Sequence, residues 1–157
     1  MHPDRFRYSS ENCSIARTLE IIGEKWTLLV LREAFYGVRR FSDFQRALGC
    51  ARNILSTRLK TLADEGILDL RPYQEPGRRR RFEYRLTEKG IELFTVLVAM
   101  MQWGDHWASD TAGPAVILRH ASCGQDLHAE LCCSANHGPL TARDAEAFPG
   151  PGAIAAA

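Results

Sequence analysis

A chain of 157 residues, 45% apolar and 25% charged, has room for one domain with a proper core plus a small appendage, in the composition range of globular proteins. Its longest apolar run, six residues at 96–101, is far short of a membrane span, and the opening MHPDRFRYSS has charge but no apolar stretch of a secretory signal, so a cytoplasmic place and no membrane partner are expected. The net charge of +1 conceals an asymmetry: residues 39–89 carry 13 Lys/Arg against 7 Asp/Glu, a net +6, whereas residues 113–157 carry 2 against 4, a net −2. A polyanionic partner would therefore meet the middle of the chain.

Taken in order, residues 13–22 place Ile15, Leu19 and Ile22 at helical spacing, and Gly23 can stop the helix. Residues 25–36 have a broader apolar face and end at Gly37, which predicts a helix covered on most sides. A short extended piece, VRRF, follows. SDFQRALG then predicts a short helix over 42–48, capped by Ser42 and ended by Gly49. The clearest helix spans 52–65, where Leu55, Leu59 and Leu62 repeat at spacings of four and three and Gly66 closes the element. ILDLRPYQ and RRFEYRLT read as two strands joined by the turn EPGR, with Pro72 weakening the first as a central strand. Thr87 is placed to cap one long helix carrying Ile91, Phe94, Val98 and Met101 and running to about residue 108. Gly113-Pro114 breaks any continuation. The expected organisation is a main domain over 1–112, a small Cys/His-containing extension over 113–148, and a flexible Pro/Gly/Ala tail over 149–157.

Two features meet in this order. Helices 42–48 and 52–65, separated by a turn of about three residues, form a helix-turn-helix candidate. The hairpin that follows carries four consecutive arginines, Arg78, Arg79, Arg80 and Arg81, at its tip. With the leucines inward, the second helix leaves Arg52, Asn53, Ser56, Thr57 and Lys60 outward. Arg and Asn suit bidentate contacts to guanine and adenine, and Ser and Thr suit phosphates or either base. An amphipathic helix alone has such a polar face in the ordinary course, but four adjacent arginines repel one another and serve no folding purpose. Strand alternation would put Arg79 and Arg81 on one side and Arg78 and Arg80 on the other. Together these features predict a grip on duplex DNA at two places. No nucleophile elbow, phosphate loop or paired-carboxylate motif points to an enzyme. The alternative, a winged scaffold used for protein interaction, gives no role to the outward Arg52/Asn53 face and the arginine tip together.

The segments CSIARTLEIIGEKWTLLVLREAFYGVRRFSDFQRAL, ILSTRLKTLADEGIL and RFEYRLTEKGIELFTVLVAMMQWGDHW resemble, in this order, the HxlR-type winged-helix transcriptional regulators, relatives of the MarR group. The resemblance implies a mainly α fold with a small β-hairpin (α+β), a winged helix-turn-helix. It implies that helix 52–65 is the recognition helix and residues 75–81 the wing. It also implies a homodimer packed through its first and last long helices, a near-palindromic operator in double-stranded DNA, and repression as the commoner outcome. The apolar stripe of the last helix, with Trp103 and Trp107 one turn apart beside it, exceeds what one small winged domain can cover, which agrees with a partner chain. Trp103 and Trp107 are also the candidates for lining a pocket for a small apolar effector, ranked below plain packing.

Helix N-termini favour thiolates, so Cys13, at the start of the first helix, and Cys50, in the turn before the recognition helix, are the redox candidates beside the bland reading of buried small hydrophobes. In the family a cysteine at the position of Cys13 is common and in some members senses oxidants or electrophiles. The expectation is that oxidation of Cys13, in one form as a disulfide to Cys50 of the other subunit, changes operator affinity. In the extension, HASCG resembles the first half of a metal knuckle found in longer family members, but CSANHG has Asn136 where the last cysteine would fall. His120, Cys123, Cys133 and His137 are the ligand set that remains for zinc. A small hairpin with no cofactor is favoured, because structural zinc is exacting about ligand number.

Overall fold

The computed structural model describes residues 7–77 and 79–156. In chain order its elements are α1 (Ser14–Ile22), α2 (Lys25–Phe35), α3 (Phe41–Leu48), α4 (Arg52–Asp64), β1 (Leu68–Tyr73), β2 (Arg81–Leu86), α5 (Glu88–Ile91) and α6 (Phe94–Trp107). By contacts the described chain divides into a unit over Ile15–Leu97 and a second unit made of the described residues up to Ser14 and from Val98 onward. The division falls inside α6.

The first unit is organised by the leucine edge of α4. Leu55, Leu59 and Leu62 are completely buried, in one cluster with Val30 and Leu31 of α2, Phe44 of α3, and Ile67 and Leu68 at the start of the hairpin. Each such side chain contributes about 1.5–3 kcal/mol on leaving water. β1 and β2 pair antiparallel, with Leu68 opposite Leu86 and Tyr73 opposite Arg81. Pro72 lies opposite Phe82 in this two-stranded sheet and is tolerated there because β1 has an open edge. The extended piece predicted at VRRF reduces to one bridge, Arg40 to Glu83, beside which the Tyr84 N–H donates to the Arg39 carbonyl at 2.7 Å.

Three local expectations change. Ser42 does not cap α3: the helix starts one residue earlier, with Arg40 in extended conformation at the cap position and no side-chain cap bond. The Arg40–Glu83 bridge holds the backbone extended up to that residue, so the helix begins directly after it. The long helix after Thr87 is two helices. Thr87 caps α5, its hydroxyl accepting from Gly90 N–H at 3.2 Å and donating to the Gly66 carbonyl at 2.7 Å. Gly90 is buried so close to the Ile67 carbonyl that a Cβ there would sit 2.4 Å from it. A tight bond from Leu93 N–H to the Gly90 carbonyl, 3.2 Å, then ends α5 before α6 begins. Third, the terminal segment expected to fray makes backbone bonds: Ser9 N–H to the Ile154 carbonyl at 2.8 Å and Ala156 N–H to the Arg7 carbonyl at 2.7 Å, with the Asn12 amide on the Gly152 carbonyl at 2.9 Å.

The extension in the second unit has bridges rather than strands, Arg119 to Asp126 and Leu131 to Leu140. An Arg119–Asp126 ion pair of 3.1 Å reinforces the first bridge. The Gln102 side chain of α6 accepts from Ala129 N–H at 2.9 Å and stands 3.2 Å from His128 Nδ1. No helix among the described residues is long and apolar enough to cross a membrane.

Candidate nucleic-acid interface

The helix-turn-helix is α3, the turn 49–51, and α4. Gly49, left-handed at φ 62°, ends α3 and donates its N–H to the Gln45 carbonyl at 2.9 Å. Because the leucines of α4 are consumed by the core, Arg52, Asn53, Ser56, Thr57 and Lys60 are left exposed on the opposite side. Their readiness differs. Asn53 and Ser56 side chains have no partner among the described residues. The Thr57 hydroxyl donates to the Asn53 carbonyl at 2.9 Å, keeping its lone pairs for an incoming donor. The Arg52 guanidinium lies 5.0 Å from the Phe41 ring centroid, a cation–π contact that parks it at the helix start. Lys60 is ion-paired one turn along with Asp64, so it carries less free charge than the sequence implies.

At the hairpin tip Gly77 adopts φ 72°, as a turn after proline requires. Arg79, Arg80 and Arg81 are exposed and have no carboxylate partner among the described residues. Arg78 lies outside the described residues. The predicted alternation does not hold for the run as a whole: β2 begins at Arg81, so Arg79 and Arg80 belong to the loop and strand geometry does not sort them.

Arg40 was not singled out by the sequence. It precedes α3, bridges Glu83 of β2 through its backbone, donates from Nη1 to Glu75 Oε1 at 2.8 Å, and lays its guanidinium 4.5 Å above the Tyr73 ring. This one residue thus ties the start of the helix-turn-helix to both arms of the wing, to the outgoing arm by its side chain and to the returning arm by its backbone. A signal exists in the adjacent Arg39-Arg40 pair, but its partners are 33 and 35 positions away in a register that no local pattern reveals.

The remaining candidates separate. Cys50 is 7% exposed and part of the core cluster, so a disulfide from it to another subunit requires the 49–51 turn to open, whereas Cys13 is half-buried. Trp103 and Trp107 are 65% and 70% exposed. They do not line the cavity of about 400 Å³ beside α6, whose walls include Met101, Gln102, Asp105 and His106 instead. In the extension His120 Nδ1 stands 3.1 Å from Cys123 Sγ, while Cys133 belongs to another turn in which its N–H bonds the His137 carbonyl at 3.0 Å. Among the described residues no group of three or more His, Cys, Asp or Glu side chains is placed to hold a metal ion, so the four candidate ligands do not assemble as one site.

The helix-turn-helix with its hairpin matches the model of the HxlR-like helix-turn-helix family over residues 21–112. The chain belongs to this family. An uncharacterized HTH-type transcriptional regulator of Mycobacterium tuberculosis is 46% identical over 142 residues, 90% of this chain and 89% of the relative. PA1607, a candidate transcription factor of known crystal structure, superposes with a TM-score of 0.78 at 36% identity, covering 89% of this chain and 96% of its own. The redox regulator HypR in its oxidized form is 28% identical with a TM-score of 0.56, over 62% of this chain and all of its own. This HxlR-family member is accordingly a transcriptional regulator with a helix-turn-helix DNA-binding domain, in a family of regulators rather than enzymes.

Replacing Arg40 with Ala removes the ion pair and the ring contact that tie the wing down. Hydrogen exchange of the wing amides at 73–75, 77 and 79–81 will quicken, while amides of α4 keep their protection; equal exchange in both proteins would show that the brace is idle.

Proposed function

We propose that the protein is a homodimeric repressor that reads a near-palindromic operator through α4, holds flanking phosphates with the wing, and answers oxidants through Cys13. The observation that carries the reading is the pairing of an exposed, unpartnered Asn53/Ser56 edge on α4 with the unpartnered cations Arg79, Arg80 and Arg81. Side chains left unsatisfied on a rigid helix start suit base edges, and free guanidinium groups suit phosphates. Repression needs nothing beyond occupancy of the operator.

DNA fragments selected by the protein from a genomic pool supply the operator for the test. Neutralising Arg79, Arg80 and Arg81 together to Gln will weaken all sequences alike and reduce the slope of log affinity against log salt by about 0.9 for each arginine that meets a phosphate. Asn53→Ala will instead alter the preferred sequence, costing about 1–3 kcal/mol at its own base pair. Absence of DNA binding, or of any salt dependence, defeats the proposal, and a reporter that rises rather than falls with the protein defeats repression.

Two apolar faces support the homodimer. In α1 every residue from 14 to 20 is exposed, including Ile15 at 71% and Leu19 at 56%. A nine-residue helix that covers so little of itself is marginal in water. In α6 the exposed Val96, Met100, Trp103 and Trp107 repeat at spacings of four, three and four, the seam spacing of helices that pack in pairs. Light scattering will give two copies for the native chain and one for Trp103→Glu; a native monomer sinks the assignment.

HypR is a redox regulator. Here the accessible thiol of the two candidates is Cys13, since Cys50 is core. Peroxide will change operator affinity of the native protein and not of Cys13→Ser, with Cys50→Ser responding as the native does. An oxidant response that survives Cys13→Ser removes this part of the reading.

A further inference from the structure

The first residue of α4 is a cation. Arg52 opens the helix after Ala51, which is extended, and the first turn contains no acidic residue. Unpaired backbone N–H groups make a helix start partly positive, so a guanidinium is disfavoured there. Neighbouring cations are held by carboxylates. Arg46 bonds Asp43 at 2.8 Å, Arg40 bonds Glu75 at 2.8 Å, and Lys60 pairs with Asp64. Arg52 has no carboxylate partner among the described residues. It is held instead by the ring of Phe41, whose centroid is 5.0 Å from the guanidinium carbon.

That ring is a fixed platform. Phe41 is the first residue of α3, half-buried and packed against the core cluster. The residue before it, Arg40, bridges Glu83 and lies on the Tyr73 ring. The core fixes the platform on one side and the wing on the other. A carboxylate would cancel the charge of Arg52 and occupy two of its five N–H donors; a ring does neither. Arg52 is therefore restrained while its donors stay available. The contact brings little to folding, because the attraction of an exposed cation to a ring and its repulsion from a helix start are of similar size. Covering of Phe41 by the arginine stem is the ordinary alternative, but it gives no reason to put the charge at the end of the helix that repels it.

We propose that Phe41 is a positioning residue for base reading: its ring holds the Arg52 guanidinium so that the planar fork meets O6 and N7 of one guanine in the major groove. Guanine offers those two acceptors on one edge, and the fork matches them in one orientation. A free arginine loses its rotamer freedom on meeting DNA, whereas one already restrained by a ring loses less. Through Phe41, the start of α3 sets the direction of the first side chain of α4. The inference rests on the DNA-reading function proposed above.

The test begins without DNA. Ring currents should shift the Arg52 side-chain resonances in the native protein and in Phe41→Tyr, and not in Phe41→Leu. Absence of the shift in the native protein overturns the proposal. Relative affinities are then measured for the selected operator with each base in turn at every position. The native protein is expected to prefer guanine at one position of each half-site by roughly ten-fold or more, and Arg52→Ala to lose that preference. Arg52→Lys, which keeps the charge without the fork, should lose it too. Phe41→Leu is expected to reduce the same preference about three-fold or more and to leave the other positions as they were, with recovery in Phe41→Tyr. In an Arg52→Ala background Phe41→Leu should add nothing. Should Phe41→Leu fail to fold, pentafluorophenylalanine in place of Phe41 keeps the ring's shape, reverses its charge distribution and is expected to give the same selective loss. A loss spread evenly over all positions, no loss in the folded variant, or a guanine preference indifferent to Arg52 overturns the proposal. A protein that binds no duplex overturns the function proposed above and this inference with it. Salt-dependent binding whose base preference ignores Phe41 overturns this inference alone.

Discussion

The winged unit depends on the burial of three leucines. Leu55, Leu59 and Leu62 lie at spacings that bring them to one edge of α4, and with Val30, Leu31, Phe44, Ile67 and Leu68 they leave water entirely or almost so. Once that edge is committed to the core, the rotation of α4 about its axis is settled, and so is which residues face outward. The exposed face of α4 is the complement of its core face. Any change that turned α4 by one position would bring Ser56 and Lys60, or Arg58 and Thr61, to the edge where Leu55, Leu59 and Leu62 now pack, at the cost of burying polar groups without partners.

The wing has no comparable core. β1 and β2 form a two-stranded sheet, an element that is marginal alone in water. Its stability is borrowed from its base, where Leu68 and Leu86 pair and Thr87 and Gly90 seat α5 against the Gly66-Ile67 carbonyls, and from Arg40 farther out. Such an arrangement fixes the root of the wing, while Arg79, Arg80 and Arg81 have no carboxylate partner among the described residues.

The cysteines and histidines illustrate the limits of reading by residue type. Cys13 and Cys50 look equivalent in the sequence, each at a helix start, yet Cys50 is absorbed by the core and Cys13 is not. The histidines and cysteines of the extension are close in sequence, but His120 and Cys123 share one turn while Cys133 and His137 share another. The exposed tryptophans behave similarly: helical spacing identifies an apolar stripe on α6, but the outward seam is Val96, Met100, Trp103 and Trp107, with Val98 buried on another side.

By itself, the sequence determined the order of helices and strands, the leucine edge of α4, the outward set from Arg52 to Lys60 and the basic hairpin. Those features are written in periods of three, four and two and in Gly and Pro punctuation, which act within a few residues. Tertiary structure alone decided the start of α3, the break between α5 and α6, the Arg40 brace, the burial of Cys50 and the bond from Tyr84 to Arg39. Each of these depends on a contact between residues far apart along the chain: Arg40 with Glu83, Gly90 with Ile67, Arg39 with Tyr84. Local propensity carries no information about such partners, because the free energy that selects them is gained only when the whole core closes.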